Sequence, residues 1–134
     1  MTSRLTAFVD AWNTRDPEAV AACYAADGRR IQIAHPPARI EGRQALADHV
    51  REIVTAWPDC VLTAAPQEAE DGHVTLEWTF RGTQQAPYGP IPGHGQELEL
   101  HGVSVMQISG GMIQEERVYW DSATLLASAG LLPA

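Results

Sequence analysis

The sequence predicts an α+β fold, and three observations carry that prediction. Amphipathic helical patterns cluster in the first 57 residues, alternating strand patterns fill most of the remainder, and the strands follow one another closely enough to form an antiparallel meander. A chain of 134 residues suits one domain, spanning 1–134, with a single core. Hydrophobic residues make up 45% of it, with four Trp, so a packed interior is expected. A strongly curved, mostly antiparallel sheet wrapped around three N-terminal helices would leave a cone-shaped barrel with an internal pocket, and such pockets are usual ligand sites.

Taken in order, Leu5, Phe8, Val9 and Trp12 fall at i, i+3, i+4 and i+7, the apolar stripe of a first helix that stops near Asn13-Thr14. Asp16-Pro17-Glu18 restarts a helix, with Asp16 as cap and Pro17 at the first helical position. This second helix is read to carry Val20, Cys23 and Tyr24 and to end at Asp27-Gly28. Ile31 and Ile33 alternate with polar neighbours as a short strand, which Pro36-Pro37 breaks. Leu46, Val50, Ile53, Val54 and Trp57 share one face of a third helix, terminated by Pro58-Asp59.

Beyond Pro58 the period changes to two. Val61, Thr63 and Ala65 mark a strand, and Asp71-Gly72 supplies a turn. Val74, Leu76, Trp78 and Phe80 alternate with polar residues in the clearest strand of the chain. Gly82 to Gly95 is rich in Gly and Pro and reads as a long loop. Leu98 to Ile108 is a long strand, turned by Ser109-Gly110-Gly111 into a closing strand, Met112 to Trp120. A short C-terminal helix follows, carrying Leu125, Leu126 and Ala129 and ended by Gly130, with Ser122 or Asp121 at its cap.

Composition excludes several function classes. A formal net charge of −8 argues against nucleic acid and against an anionic membrane as partners. No basic leader followed by an apolar run opens the chain, and no apolar segment approaches the roughly 20 residues of a membrane span. The expected location is therefore cytoplasmic, with Cys23 and Cys60 as reduced thiols. All nine basic residues are Arg, so lysine Schiff-base chemistry is excluded. The five His are scattered, without HxH or HxxxH spacing, and neither Cys has a neighbouring ligand, so no metal site is expected. Walker, GxGxxG and GxSxG patterns are absent, and no cofactor is expected.

The string AWNTRDPEAVAACYAADG, His35 before the Pro pair, EGRQALADHV with the later WPD, TFRGT before the loop, and the ending GMIQEERVYWDSATLLASAGL together resemble the SnoaL-like polyketide cyclases of the nuclear transport factor-like superfamily. The resemblance spans nearly the whole chain. It implies a cone-shaped α+β barrel, a homodimer joined through the outer sheet face, and cofactor-free acid/base chemistry on a small hydrophobic carbonyl compound, such as an intramolecular aldol ring closure. Ketosteroid isomerase-like or hydratase activity, and ligand binding without catalysis, are the competing expectations. The resemblance places the acid/base on Asp121 and a histidine of the pocket mouth on His35. Gln84 and Arg117 stand where relatives often carry His and Trp.

Reading the residues themselves, Asp121 is either a helix cap or a carboxylate at the mouth of an apolar pocket, its pKa raised by burial. Tyr119 and Arg117 share its strand face: Tyr119 is either a donor to an enolate oxygen or a core aromatic, and Arg117 either a ligand contact or a salt-bridge partner of Glu115 or of a residue across the sheet. His101 faces the pocket or turns away according to the register of the last hairpin, which a slip of one residue inverts. Trp12, Tyr24, Trp57 and Trp78 supply flat apolar walls, and the loop from Gln84 to His94 covers the opening with Tyr88 and Ile91. The catalytic set expected is thus Asp121, His35, Tyr119 and His101.

Overall fold

A computed structural model describes residues 3–33, 35–68 and 71–132. In chain order the elements are α1 (Ser3–Thr14), α2 (Pro17–Ala21), β1 (Tyr24–Gln32), β2 (Arg39–Glu41), α3 (Arg43–Ala56), β3 (Val61–Glu68), β4 (His73–Gln84), β5 (Gln96–Ser109), β6 (Met112–Trp120) and α4 (Ser122–Ser128). The six strands form one sheet in the order β2-β1-β6-β5-β4-β3. The β3–β6 meander is antiparallel throughout, and β1 joins β6 in parallel, the crossover being made by β2, α3 and the meander itself. This is the mixed α+β architecture expected, a curled sheet with helices against it.

Helix α1 buries Leu5, Phe8 and Trp12 of its expected stripe together with Ala11, while Val9 is only half-buried. Its end is fastened to the edge strand by a reciprocal pair: Asn13 Nδ2 donates to the Leu62 carbonyl at 2.9 Å, and the Leu62 amide donates to Asn13 Oδ1 at 2.7 Å. Asp16 caps α2 through the Glu18 amide, with Pro17 in the first turn. Helix α3 presents Leu46, Ala47, Val50, Ile53 and Ala56 to the interior, and packs on α2 and β1. With α1 against β3 at one sheet edge and α3 against β1 and β2 near the other, the sheet wraps around the helices.

Four expectations need correction. The second helix does not carry Cys23 and Tyr24 or reach Asp27-Gly28. α2 ends at Ala21, and the first strand starts at Tyr24 and runs through Asp27-Gly28. A Cβ on Gly28 would sit 2.9 Å from the Ile113 carbonyl, so a glycine that reads locally as a helix stop instead allows close approach of β1 to β6. β4 runs through Gly82 to Gln84, because Gly82, Thr83 and Gln84 pair with Leu98, Glu97 and Gln96; the irregular loop is shortened accordingly. Residues Arg39–Glu41 form an added edge strand, pairing with Arg29, Arg30 and Ile31.

Candidate functional site

Between the inner sheet face and the helices lies a cavity of about 70 Å³. Phe8 and Trp12 of α1, Ile53 and Trp57 at the end of α3, and Leu62, Leu76, Phe80, Leu98 and Leu100 of the sheet make its apolar walls. Trp78, Tyr88, Trp120 and Leu125 of α4 complete them. Four polar side chains break this lining: Arg30, Gln32, Ser104 and Glu116.

Strand register brings these four together. Arg30 stands opposite Glu116 in the parallel β1–β6 pair, and Ser104 lies on β5 opposite Val118, two residues beyond Glu116 on the same face. Arg30 Nη1 donates to Glu116 Oε1 at 3.0 Å, and Ser104 Oγ donates to Glu116 Oε2 at 2.7 Å. The Tyr24 hydroxyl also donates to Glu116 Oε1. Trp78 Nε1 donates to Ser104 Oγ at 3.1 Å, which ties a cavity wall to the carboxylate. On the other side Arg30 Nε donates to Gln32 Oε1 at 3.3 Å, and Gln32 Nε2 donates to the Pro37 carbonyl at 3.1 Å and the His35 carbonyl at 3.4 Å.

The electrostatics follow from burial and this pairing. Burial, the largest single effect, opposes the charge on Arg30. The Glu116 carboxylate, with the Tyr24 and Tyr88 oxygens, outweighs it, and the guanidinium pKa rises. Burial and then Glu116 push the Tyr24 phenol well above its usual range, so it stays a donor. A charge pair taken out of water costs several kcal/mol per ion unless its remaining hydrogen-bonding capacity is filled. Here both oxygens of Glu116 are filled, and the guanidinium, which has five N–H donors, borders the cavity.

His35 stands beside this cavity. Its ring stacks on Tyr88 at 5.5 Å between centroids and leans on Trp120 at 5.4 Å, both of them cavity-lining residues. Partial burial lowers its pKa, with Glu52 opposing, which favours the neutral imidazole. Tyr88 also packs against Trp57, and burial pushes its phenol up to about 12. The Tyr88 segment is folded back on itself by paired Tyr88 and Ile91 backbone bonds.

The expected acid does not reach this cavity. Asp121 is exposed and caps α4, its Oδ1 accepting from the Ala123 amide at 3.0 Å and its Oδ2 from the Thr124 hydroxyl at 3.1 Å. Tyr119 and Arg117 do share its face, but that face is the outer one, where both are exposed. Val118 is completely buried, and alternation then turns Arg117, Tyr119 and Asp121 outward together. The last hairpin pairs Gly102 with Trp120, which leaves His101 one step beyond and also outside. There His101 contacts Thr79 at 3.0 Å and Glu99 at 3.1 Å. Asp121, Tyr119, His101 and Arg117 therefore lie outside the inner cavity, and the first three border a shallow depression on the outer sheet face instead.

Among the expected wall residues, Trp12, Trp57, Trp78 and Tyr88 line the cavity. Tyr24 contributes its hydroxyl to Glu116 from behind the lining. Gln84 is fully buried, but it pins the loop rather than facing the cavity. Its Nε2 donates to the Ala86 and Ile91 carbonyls, both at 3.1 Å, and its Oε1 accepts from Gln96. Ile91 is likewise packed in the core, outside the cavity lining. Arg30, Gln32, Ser104 and Glu116 are the residues that sequence reasoning missed. The available signal was Val118: if it points inward, so do Glu116 and Trp120. Among the described residues no cluster of His, Cys, Asp or Glu is arranged to hold a metal ion, and no helix is long and apolar enough to cross a membrane.

A curled α+β sheet closed by helices around an apolar cavity with one buried charge pair defines a pocketed cone-fold protein. The chain belongs to the SnoaL-like polyketide cyclase family, whose model matches residues 2–129. Solved structures of the same fold include a protein of ketosteroid isomerase-like fold from Catenulispora acidiphila DSM 44928, in complex with trimethylamine. It is 22% identical, with 98% of this chain and 95% of that one covered and a TM-score of 0.83. A candidate SnoaL-like polyketide cyclase from Jannaschia sp. CCS1 is 18% identical over 96% and 90% of the two chains, with a TM-score of 0.81. A phenazine biosynthesis-related protein from Pseudomonas aeruginosa is 19% identical over 98% and 87%, with a TM-score of 0.80. No curated protein matches the chain.

Proposed function

We propose that this protein is a cofactor-free enzyme that moves a proton at a carbon next to a carbonyl group, in a small, largely apolar ligand held inside the cone. This step is common to aldol-type ring closure and to double-bond isomerisation. The observation that carries the reading is the Arg30–Glu116 pair, a buried charge pair set in an otherwise apolar cavity wall. In this role Arg30 donates to the ligand's carbonyl oxygen and stabilises the enolate that forms as the proton leaves. Glu116, with Tyr24 and Ser104, positions Arg30 and keeps it charged. His35 is the general base: a neutral imidazole at the rim, steadied by Tyr88 and Trp120.

One observation favours a second reading, in which the cavity carries a ligand without altering it. Both oxygens of Glu116 are already occupied, so no carboxylate inside the cavity is poised to accept a proton. Acetophenone in deuterated water separates the two. The enzymatic reading expects its methyl protons to exchange faster with the protein than with buffer, and slower again with His35→Ala. Binding without exchange supports carriage. Either reading is compatible with a cytoplasmic homodimer joined through the outer sheet face, which sedimentation would test.

A further inference from the structure

Four residues stand in one row across the sheet, Ala64 on β3, Trp78 on β4, Gly102 on β5 and Trp120 on β6. Small and large alternate, and the two indoles both border the cavity. At Gly102 the reason for the missing side chain is direct. A Cβ there would lie 2.2 Å from Cζ2 and 2.5 Å from Cη2 of Trp78, far inside contact distance. The indole therefore lies over β5, on the backbone of Gly102, instead of standing off the sheet into the cavity. Its N–H is held by Ser104, and Ser104 is held by Glu116, so the ring's position is locked to the buried charge pair.

We propose that Trp78, seated on Gly102, sets the size of ligand the cavity accepts, and that the accepted class is a neutral carbonyl compound of about one ring. This rests on the reading that Arg30 receives the ligand's carbonyl. The cavity, about 70 Å³, is about half of the roughly 150 Å³ void known to hold benzene, so even one ring enters only as the walls yield by a comparable volume, and three fused rings are excluded. The charge of Arg30 is already balanced by Glu116 at 3.0 Å, so an anionic ligand would bring a second carboxylate beside the first without a second cation. A neutral ketone makes the same hydrogen bond without that repulsion.

The test uses the full chain and three probes: acetophenone, its anionic near-isostere benzoate, and the three-ring ketone anthrone, with dissociation constants from NMR titration. Wild type should bind acetophenone at least tenfold tighter than benzoate or anthrone. Trp78→Ala should gain at least tenfold for anthrone, and Trp78→Leu provides the same opening where the larger truncation unfolds the chain. Gly102→Ala, which drives the indole into the cavity, should lose at least tenfold for acetophenone. Failure of wild type to bind acetophenone, equal affinity for acetophenone and anthrone, benzoate binding as tight as acetophenone, or an unchanged size ranking in the folded Trp78 variants overturns the proposal. Correct ranking without methyl-proton exchange would remove the enzymatic reading and leave the size filter standing. Exchange without the ranking would do the reverse.

Discussion

Arg30 and Glu116 face each other across the parallel β1–β6 pair and meet at 3.0 Å in the wall of the cavity, with Glu116 also receiving the Tyr24 and Ser104 hydroxyls. Removing one partner strands the other charge out of water, whereas removing both leaves no stranded charge. Arg30→Met should cost about 3–5 kcal/mol in urea unfolding, and Arg30→Met/Glu116→Met much less than that. A single variant within about 1 kcal/mol of wild type would mean that the carboxylate is not dry. The double variant should in addition lose acetophenone binding, because the carbonyl then has no donor.

Asp121 is a helix cap on the outside of the fold, and its replacement separates stability from chemistry. Asp121→Ala removes the acceptor of the Ala123 amide and should cost about 1 kcal/mol in unfolding free energy. Asp121→Asn keeps a good cap and should be close to neutral. Neither should change acetophenone affinity or methyl-proton exchange. A tenfold loss of exchange in Asp121→Asn, with stability intact, would return the acid/base role to this residue.

The contrast between these two carboxylates shows how far the sequence could be read. Alternation in Val74–Phe80 and the helical stripe of Leu46–Ile53 each point one way, because apolar residues fall on a single face. On β6 alternation correctly groups Arg117, Tyr119 and Asp121, but grouping does not say which face is inside. A register shift compounds this: Ile113 pairs with Ile108 and Glu115 with Gln107, so Ile113 and Glu116 both point inward although three residues apart. The parallel β1–β6 pairing that sets Arg30 on Glu116 joins residues 86 apart in sequence, and no local pattern reports it. Gly28 reads as a helix stop, and only the folded neighbours reveal it, like Gly102, as a site of close approach.

His49 on α3 is buried, and its Nε2 has no hydrogen-bond partner. Burial, with smaller contributions from Arg30 and His35, lowers its pKa to about 3. An unfolded histidine titrates near about 6.5, so between these values the unfolded chain binds a proton that the folded chain refuses. The stability held above pH 6.5 is therefore lost as pH falls, by at most about 1.4 kcal/mol per pH unit from this residue. His49→Leu should remove that part of the slope and leave stability at pH 7 equal or higher, since an unpartnered polar atom goes with it. Parallel acid-unfolding curves for wild type and variant would contradict the assignment.

His35 gives the last prediction, and its sign is opposite to that of an ordinary surface imidazole gaining a carboxylate. Its pKa is lowered by burial between Tyr88 and Trp120, so its free-base form persists below the usual histidine range. If it takes the ligand's proton, methyl-proton exchange should fall on acidification with a midpoint below the free-histidine value. His35→Phe keeps a flat ring against Tyr88 and Trp120 and should preserve acetophenone binding within a few-fold while removing the pH-dependent part of the exchange. Histidine ring resonances followed by NMR across the same range should show the matching midpoint. A midpoint at or above the free-histidine value, or undiminished exchange in His35→Phe, would place the base elsewhere in the cone.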